Sequence, residues 1–161
     1  MKITIVFHSY SGITRGIAEK VQAACGGDLV EVRPKKNYST LTAYTVGCLR
    51  ARNGEKDPID PETIDVSGSD LIVIGTPVWA FKATPAVNGA VAALTGCSGK
   101  KAVLFATCGG KAGETLPILT KSLEEKGVRV QGGVLFTKNE VNDPAKIGEL
   151  IAAVKAAAAA P

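Results

Sequence analysis

"FHSYSGITRG", residues 7–16, sets the end of an apolar run, three aliphatic hydroxyls and a glycine directly before a helical pattern. Upstream, Lys2 to Phe7 (KITIVF) is rich in β-branched residues and reads as a buried strand. Downstream, Ile13, Ile17 and Val21 recur at four-residue spacing and form one apolar helix face. Between them Ser9, Ser11 and Thr14 crowd a turn in which Gly12 allows close backbone approach. Hydroxyls and free amides at a helix N-terminus suit a phosphate. The same residues also suit a serine-rich turn with an ordinary helix cap. What the chain places beside this turn decides between the two.

The strand–helix alternation continues. Asp28 to Arg33, Leu71 to Gly75, Lys101 to Thr107 and Val134 to Thr137, extendable back to Val128, read as four further strands. The third of the five, LIVIG, is apolar throughout, as a strand covered on both faces should be. Helical stretches are expected over about 84–94, 114–126 and 144–159, with Gly127 closing the second. This pattern predicts one α/β domain over residues 1–161: a parallel sheet with helices on both faces, a doubly wound three-layer sandwich. One section breaks the rhythm. Residues 34–69 form a long excursion between strands 2 and 3, with a helix expected over Thr40 to Arg52.

Bulk properties exclude several classes. At 161 residues and 45% hydrophobic content the chain can bury a core, and no apolar run approaches the roughly 18–20 residues of a membrane span. The first strand begins almost at Met1, so no signal peptide is expected. Cys25, Cys48, Cys97 and Cys108 show no C-x-x-C spacing, which argues against a zinc site and for reduced thiols in a cytoplasmic protein. Net charge is +4, but aromatics make up only 5%, so there is no interleaved basic and aromatic surface for nucleic acid.

Ligands of open parallel sheets sit outside the carboxyl ends of the strands. Three unusual loops meet that edge: the hydroxyl turn, GTPVWAFKATP (residues 75–85) with the single tryptophan, and CGGKAG (residues 108–113). No P-loop lysine and no G-x-G-x-x-G are present, which argues against nucleoside triphosphates and a dinucleotide fold.

These loops resemble those of the flavodoxin family. Ser9-Tyr10-Ser11-Gly12-Ile13-Thr14 matches the family's loop around the FMN phosphate. Gly75-Thr76-Pro77-Val78-Trp79, running on into Ala80, matches the loop whose aromatic stacks on the isoalloxazine ring. Thr107, Cys108, Gly109 and Gly110 correspond to the loop at the flavin's pyrimidine edge. The resemblance implies FMN as cofactor and the strand order 2-1-3-4-5, which comes with the family and not from spacing.

It implies an electron-transfer carrier working with redox partner proteins, or alternatively an NAD(P)H-dependent quinone or flavin reductase. A partner-binding module outside redox chemistry is the third reading. Three features depart from the carriers: a basic balance, no aromatic in the loop after the fourth strand, and the excursion. Tyr38 or Tyr44 of the excursion folds over the ring, or the excursion builds a homodimer contact. Lys82 and Lys111 are expected to border the ring, and Arg15 stands either beside the phosphate or in solvent. His8, the single histidine, is expected to be structural.

Overall fold

The computed structural model describes residues 1–161. Strand β1 (Ile3–Phe7) leads into α1 (Ile13–Cys25) and β2 (Asp28–Glu31). After the helical segment α2 (residues 40–52) come β3 (Leu71–Trp79) and α3 (Pro85–Ala93). The chain continues through β4 (Lys101–Cys108), α4 (Thr115–Glu124), β5 (Arg129–Thr137) and α5 (Pro144–Ala159). The five long strands are all parallel, in the order β2-β1-β3-β4-β5 that the resemblance implied.

Successive strand side chains point to opposite faces, and the sequence fills both with apolar groups. On one face Val6, Ile72, Ile74 and Leu104 pack with Val87, Ala90 and Val91 of α3 and Leu119 and Leu123 of α4. On the other, Ile5, Phe7, Val73 and Phe105 meet Ile17 and Val21 of α1 and Leu150 and Val154 of α5. Each fully buried side chain of this size contributes about 1.5–3 kcal/mol. Gly75 is required here: a Cβ would stand 2.2 Å from Phe105 Cζ, so only glycine lets that ring lie across β3.

Strand ends depart from the expectation at the functional edge. β3 does not stop at Gly75 but runs to Trp79, and its last residues pair antiparallel with Lys82 and Ala83. Its pairing with β1 ends at Gly75, so Pro77 enters where that side of β3 has become an edge and a missing N–H is tolerated. β2 stops at Glu31, and Arg33–Pro34 turns away to pair antiparallel with Ile59–Asp60.

The excursion is packed into the fold. Ile59, Ile64 and Val66 enter the core under α3. The expected helix over 40–52 is present, but Ala43–Gly47 is wound as a π-helix. Gly47 admits the Trp79 ring against this segment, since a Cβ there would stand 2.8 Å from Trp79 Cζ3. A polar cluster around the buried Asp57 closes the excursion on itself. The Tyr38 hydroxyl lies 2.8 Å from Asp57 Oδ2, Arg50 Nη1 donates to Tyr38 and to Asp57 Oδ1, and Arg50 Nε donates to Glu55 at 2.8 Å. The Asp57 side chain is only 3% exposed.

Candidate functional site

At the end of β1 the Ser9 hydroxyl accepts from the Gly12 N–H at 3.1 Å and the Arg15 N–H at 3.2 Å. Gly12 itself adopts φ +92°, a conformation that side-chain-bearing residues rarely take. The turn therefore satisfies two amides internally and leaves those of Ser11, Ile13 and Thr14 with no acceptor in the chain. No carboxylate occupies the first turn of α1, so its positive end is uncompensated. Thr14 is buried, and its hydroxyl lies 2.9 Å from that of Thr107 at the end of β4. One proton serves that bond; the other hydroxyl proton is free for a further oxygen.

Arg15 stays beside this end of the helix, its Nη1 3.9 Å from where a Gly12 Cβ would stand, but its guanidinium is already paired. It forks onto Glu31 of β2, with Nη2 at 2.5 Å and Nε at 3.2 Å from the two carboxylate oxygens. Burial would raise the Glu31 carboxyl, but the Arg15 bonds and charge, together with Arg33, hold it below the usual carboxylate range. The carboxylate thus offsets a cation that would otherwise oppose the α1 dipole.

Trp79 is held by edge-on contacts from three rings: Tyr38 at 5.4 Å, Tyr10 at 5.5 Å and His8 at 6.0 Å between centroids. With the Gly47 backbone against it, its orientation is set before any ligand arrives. His8 is the structural residue expected. Its Nδ1 lies 2.9 Å from Thr84 Oγ1, and burial pulls its pKa down to about 4 against a smaller opposing pull from Glu31. Beyond Trp79, Ala80 and Phe81 adopt φ +48° and +66° at the tip of a two-residue hairpin. Such turns favour Asn-Gly, and each left-handed residue with a Cβ costs about 1–2 kcal/mol.

These elements surround one cleft of about 470 Å³. The β1 loop supplies Tyr10, Ser11, Ile13 and Thr14 to its walls, and β3 supplies Pro77, Val78, Trp79 and Ala80. Thr107, Cys108 and Gly109 line it from β4. Four expected residues do not line it. Ser9 and Gly12 shape the turn from behind, and Thr76 is buried with its hydroxyl donating to the Pro77 carbonyl and accepting from the Thr84 N–H. Gly110 lies beyond Gly109, where a Cβ would meet nothing within 4 Å. Burial pushes the Cys108 thiol up, so at neutral pH it is a protonated small side chain.

The cleft also contains residues not expected from the sequence: Ala43 and Cys48 of α2, and Lys138 and Val141 just after β5. Tyr44, 76% exposed, lines it as well. Tyr38 instead packs against Trp79 and lines a separate cavity. Lys138 is the one cation of the lining. Lys82 is corrected: its Nζ donates to the Arg52 carbonyl at 2.9 Å, and neither it nor the exposed Lys111 lines the cleft. The loops of unusual composition follow β1, β3 and β4, whereas the short turn after β5 offers a single lysine among many.

A family model for flavodoxin matches residues 2–143. The chain belongs to the flavodoxin family. Among solved structures it is similar to a candidate flavoprotein from Bacteroides eggerthii, at 24% identity over 96% of this chain and 98% of that one, with a TM-score of 0.77. It is also similar to a flavoprotein in complex with FMN from Lactobacillus acidophilus: 22% identity, 89% of this chain, 98% of that one, TM-score 0.64. The two-electron reduced flavodoxin of Megasphaera elsdenii matches at 24% identity over 98% of this chain and 99% of that one, TM-score 0.62. At these identities the likeness shows the flavodoxin fold. No curated protein matches the sequence. No helix is long and apolar enough to cross a membrane.

Proposed function

We propose that this flavodoxin-family chain binds FMN in the cleft and works as an electron-transfer carrier. The donor set fits the cofactor. Three unpartnered amides at the start of α1, the Ser11 hydroxyl and a spare threonine proton suit a phosphate near −2 charge. Trp79, immobilised by its three ring neighbours, offers a flat apolar wall to an aromatic ring system. Gly109 leaves its backbone open to a ligand, and Lys138 places a positive charge on the same cleft. Bound FMN would supply the one- and two-electron chemistry that the side chains of this site lack.

The carrier role, as against a reductase, is supported by one observation. α2 brings Ala43, Tyr44 and Cys48 to the cleft, providing the aromatic that the loop after β4 lacks. A reductase must seat a nicotinamide or quinone ring within attack distance of the flavin, whereas a carrier needs only an exposed edge. The test is anaerobic mixing of the FMN-loaded protein with NADH and with NADPH, followed at the flavin absorbance. A carrier bleaches only when a separate reductase is added. Bleaching by either nucleotide alone within seconds would assign the reductase role instead.

A further inference from the structure

The hairpin tip at Ala80 and Phe81 is strained, and Phe81 leaves 60% of its surface in solvent. The antiparallel pairing of Trp79 with Lys82 imposes that conformation, and glycine at position 81 would remove much of the strain. Strain of this kind, kept beside a binding cleft, points to use. Ala80 lines the cleft directly, and the exposed Tyr10, Ile13 and Tyr44 line it from the other walls, so the apolar groups gather at one mouth.

Cations predominate among the charges beside the tip. Lys82 follows Phe81 and reaches the carbonyl of the exposed Arg52. The loop carrying Lys111 packs onto Phe81, since a Cβ on Gly113 would stand 2.5 Å from Phe81 Cβ. Arg52, Lys82 and Lys111 form no ion pair, whereas the nearby carboxylates Glu55 and Asp57 are already paired with Arg50. The only carboxylate of the packed loop is Glu114. An apolar centre rimmed by unpaired cations is complementary to an acidic surface with an apolar centre.

We infer that the Phe81 tip, with Arg52, Lys82 and Lys111 around it, is the docking surface for an acidic partner protein. This rests on reading the adjoining cleft as the flavin site, because that places a partner beside the redox centre. FMN loading is scored separately, by flavin absorbance, so failure of the flavin reading is visible before docking is measured.

The experiment is isothermal titration of the FMN-loaded protein with an oxidised acidic [2Fe–2S] ferredoxin, and with basic cytochrome c as the opposite probe. Ferredoxin should bind, and raising salt from about 20 to about 300 mM should weaken it at least about tenfold. Arg52→Glu combined with Lys111→Glu should weaken it at least about tenfold at low salt. Phe81→Ser should weaken it about tenfold while keeping the salt dependence. Circular dichroism checks that each variant keeps its fold. No ferredoxin binding at low salt, equal binding of cytochrome c, or unchanged affinity in the charge-reversed variant would overturn the inference. So would sedimentation showing a dimer that Phe81→Ser dissociates, which would assign the tip to a second copy.

Discussion

At the start of α1, Ser9 satisfies the amides of Gly12 and Arg15 within a span of six residues. Across the cleft, α2 is held through Tyr38 and Asp57, 19 residues apart, with Arg50 between them. The first wall is built by rules that act along the chain: a helix start, a hydroxyl, a glycine. The second depends on a buried charge that must find its partners in three dimensions. Function divides in the same way. The local wall presents bare amides, while the long-range wall positions Trp79 and brings Tyr44 to the cleft.

The largest expected effect breaks the second wall. Asp57→Ala removes the buried carboxylate and leaves the Tyr38 hydroxyl without its acceptor while Arg50 keeps Glu55, which should cost about 1.5–3 kcal/mol in denaturant unfolding. Arg15→Ala breaks the Glu31 pair of the first wall, where the arginine is 40% exposed, and should cost no more than about 1 kcal/mol. Equal losses would contradict the contrast between the two walls.

His8 ties the Trp79 side to pH. Its folded pKa of about 4 lies below the ordinary 6.5, so the unfolded chain binds the proton more readily. Its stabilising contribution is complete above about pH 6.5 and is lost as pH falls toward about 4. The slope is up to about 1.4 kcal/mol per pH unit. Carboxylates such as Glu31 have an ordinary value of 4.5 and fall lower in the folded chain, so the part of this window well above 4.5 belongs to His8. Urea unfolding between about pH 6.5 and 5.5 should show the slope in the wild type and a nearly flat line for His8→Asn.

Much of the fold could be read from residues 1–137 because apolar runs and four-residue helix spacing are local signals. The hydroxyl turn was legible for the same reason, in residue type more than in detail. Ser9 and Thr76 are the right kind of residue, yet their hydroxyls are committed within the chain. Gly47 carried no signal at all, since its role is defined by a tryptophan that approaches only in the folded state. Lys138 was hidden among other lysines, and Lys82 was misplaced because nothing local reveals that it reaches Arg52.

Two smaller effects sharpen the contrast at backbone level. Gly12→Ala forces a Cβ into φ +92° and should lower stability by about 1–2 kcal/mol, read by thermal unfolding, with FMN binding weakened as the turn shifts. Phe81→Gly should act in the opposite direction and raise stability by about 1 kcal/mol, because the tip retains strain that folding does not need. A destabilised Phe81→Gly would show that the side chain contributes packing that outweighs the strain.

The central claim is that the bare amides of Ser11, Ile13 and Thr14, together with the Ser11 and Thr14 hydroxyls, hold the FMN phosphate. Parallel titrations with FMN and riboflavin test it most directly, in the wild type and in Ser11→Ala combined with Thr14→Ala. Charge-assisted hydrogen bonds contribute about 1.5–3 kcal/mol each, so FMN should bind at least about 100-fold tighter than riboflavin. The double variant should narrow that gap by weakening FMN far more than riboflavin. Equal affinity of the wild type for the two flavins, or equal losses in the variant, would contradict the account.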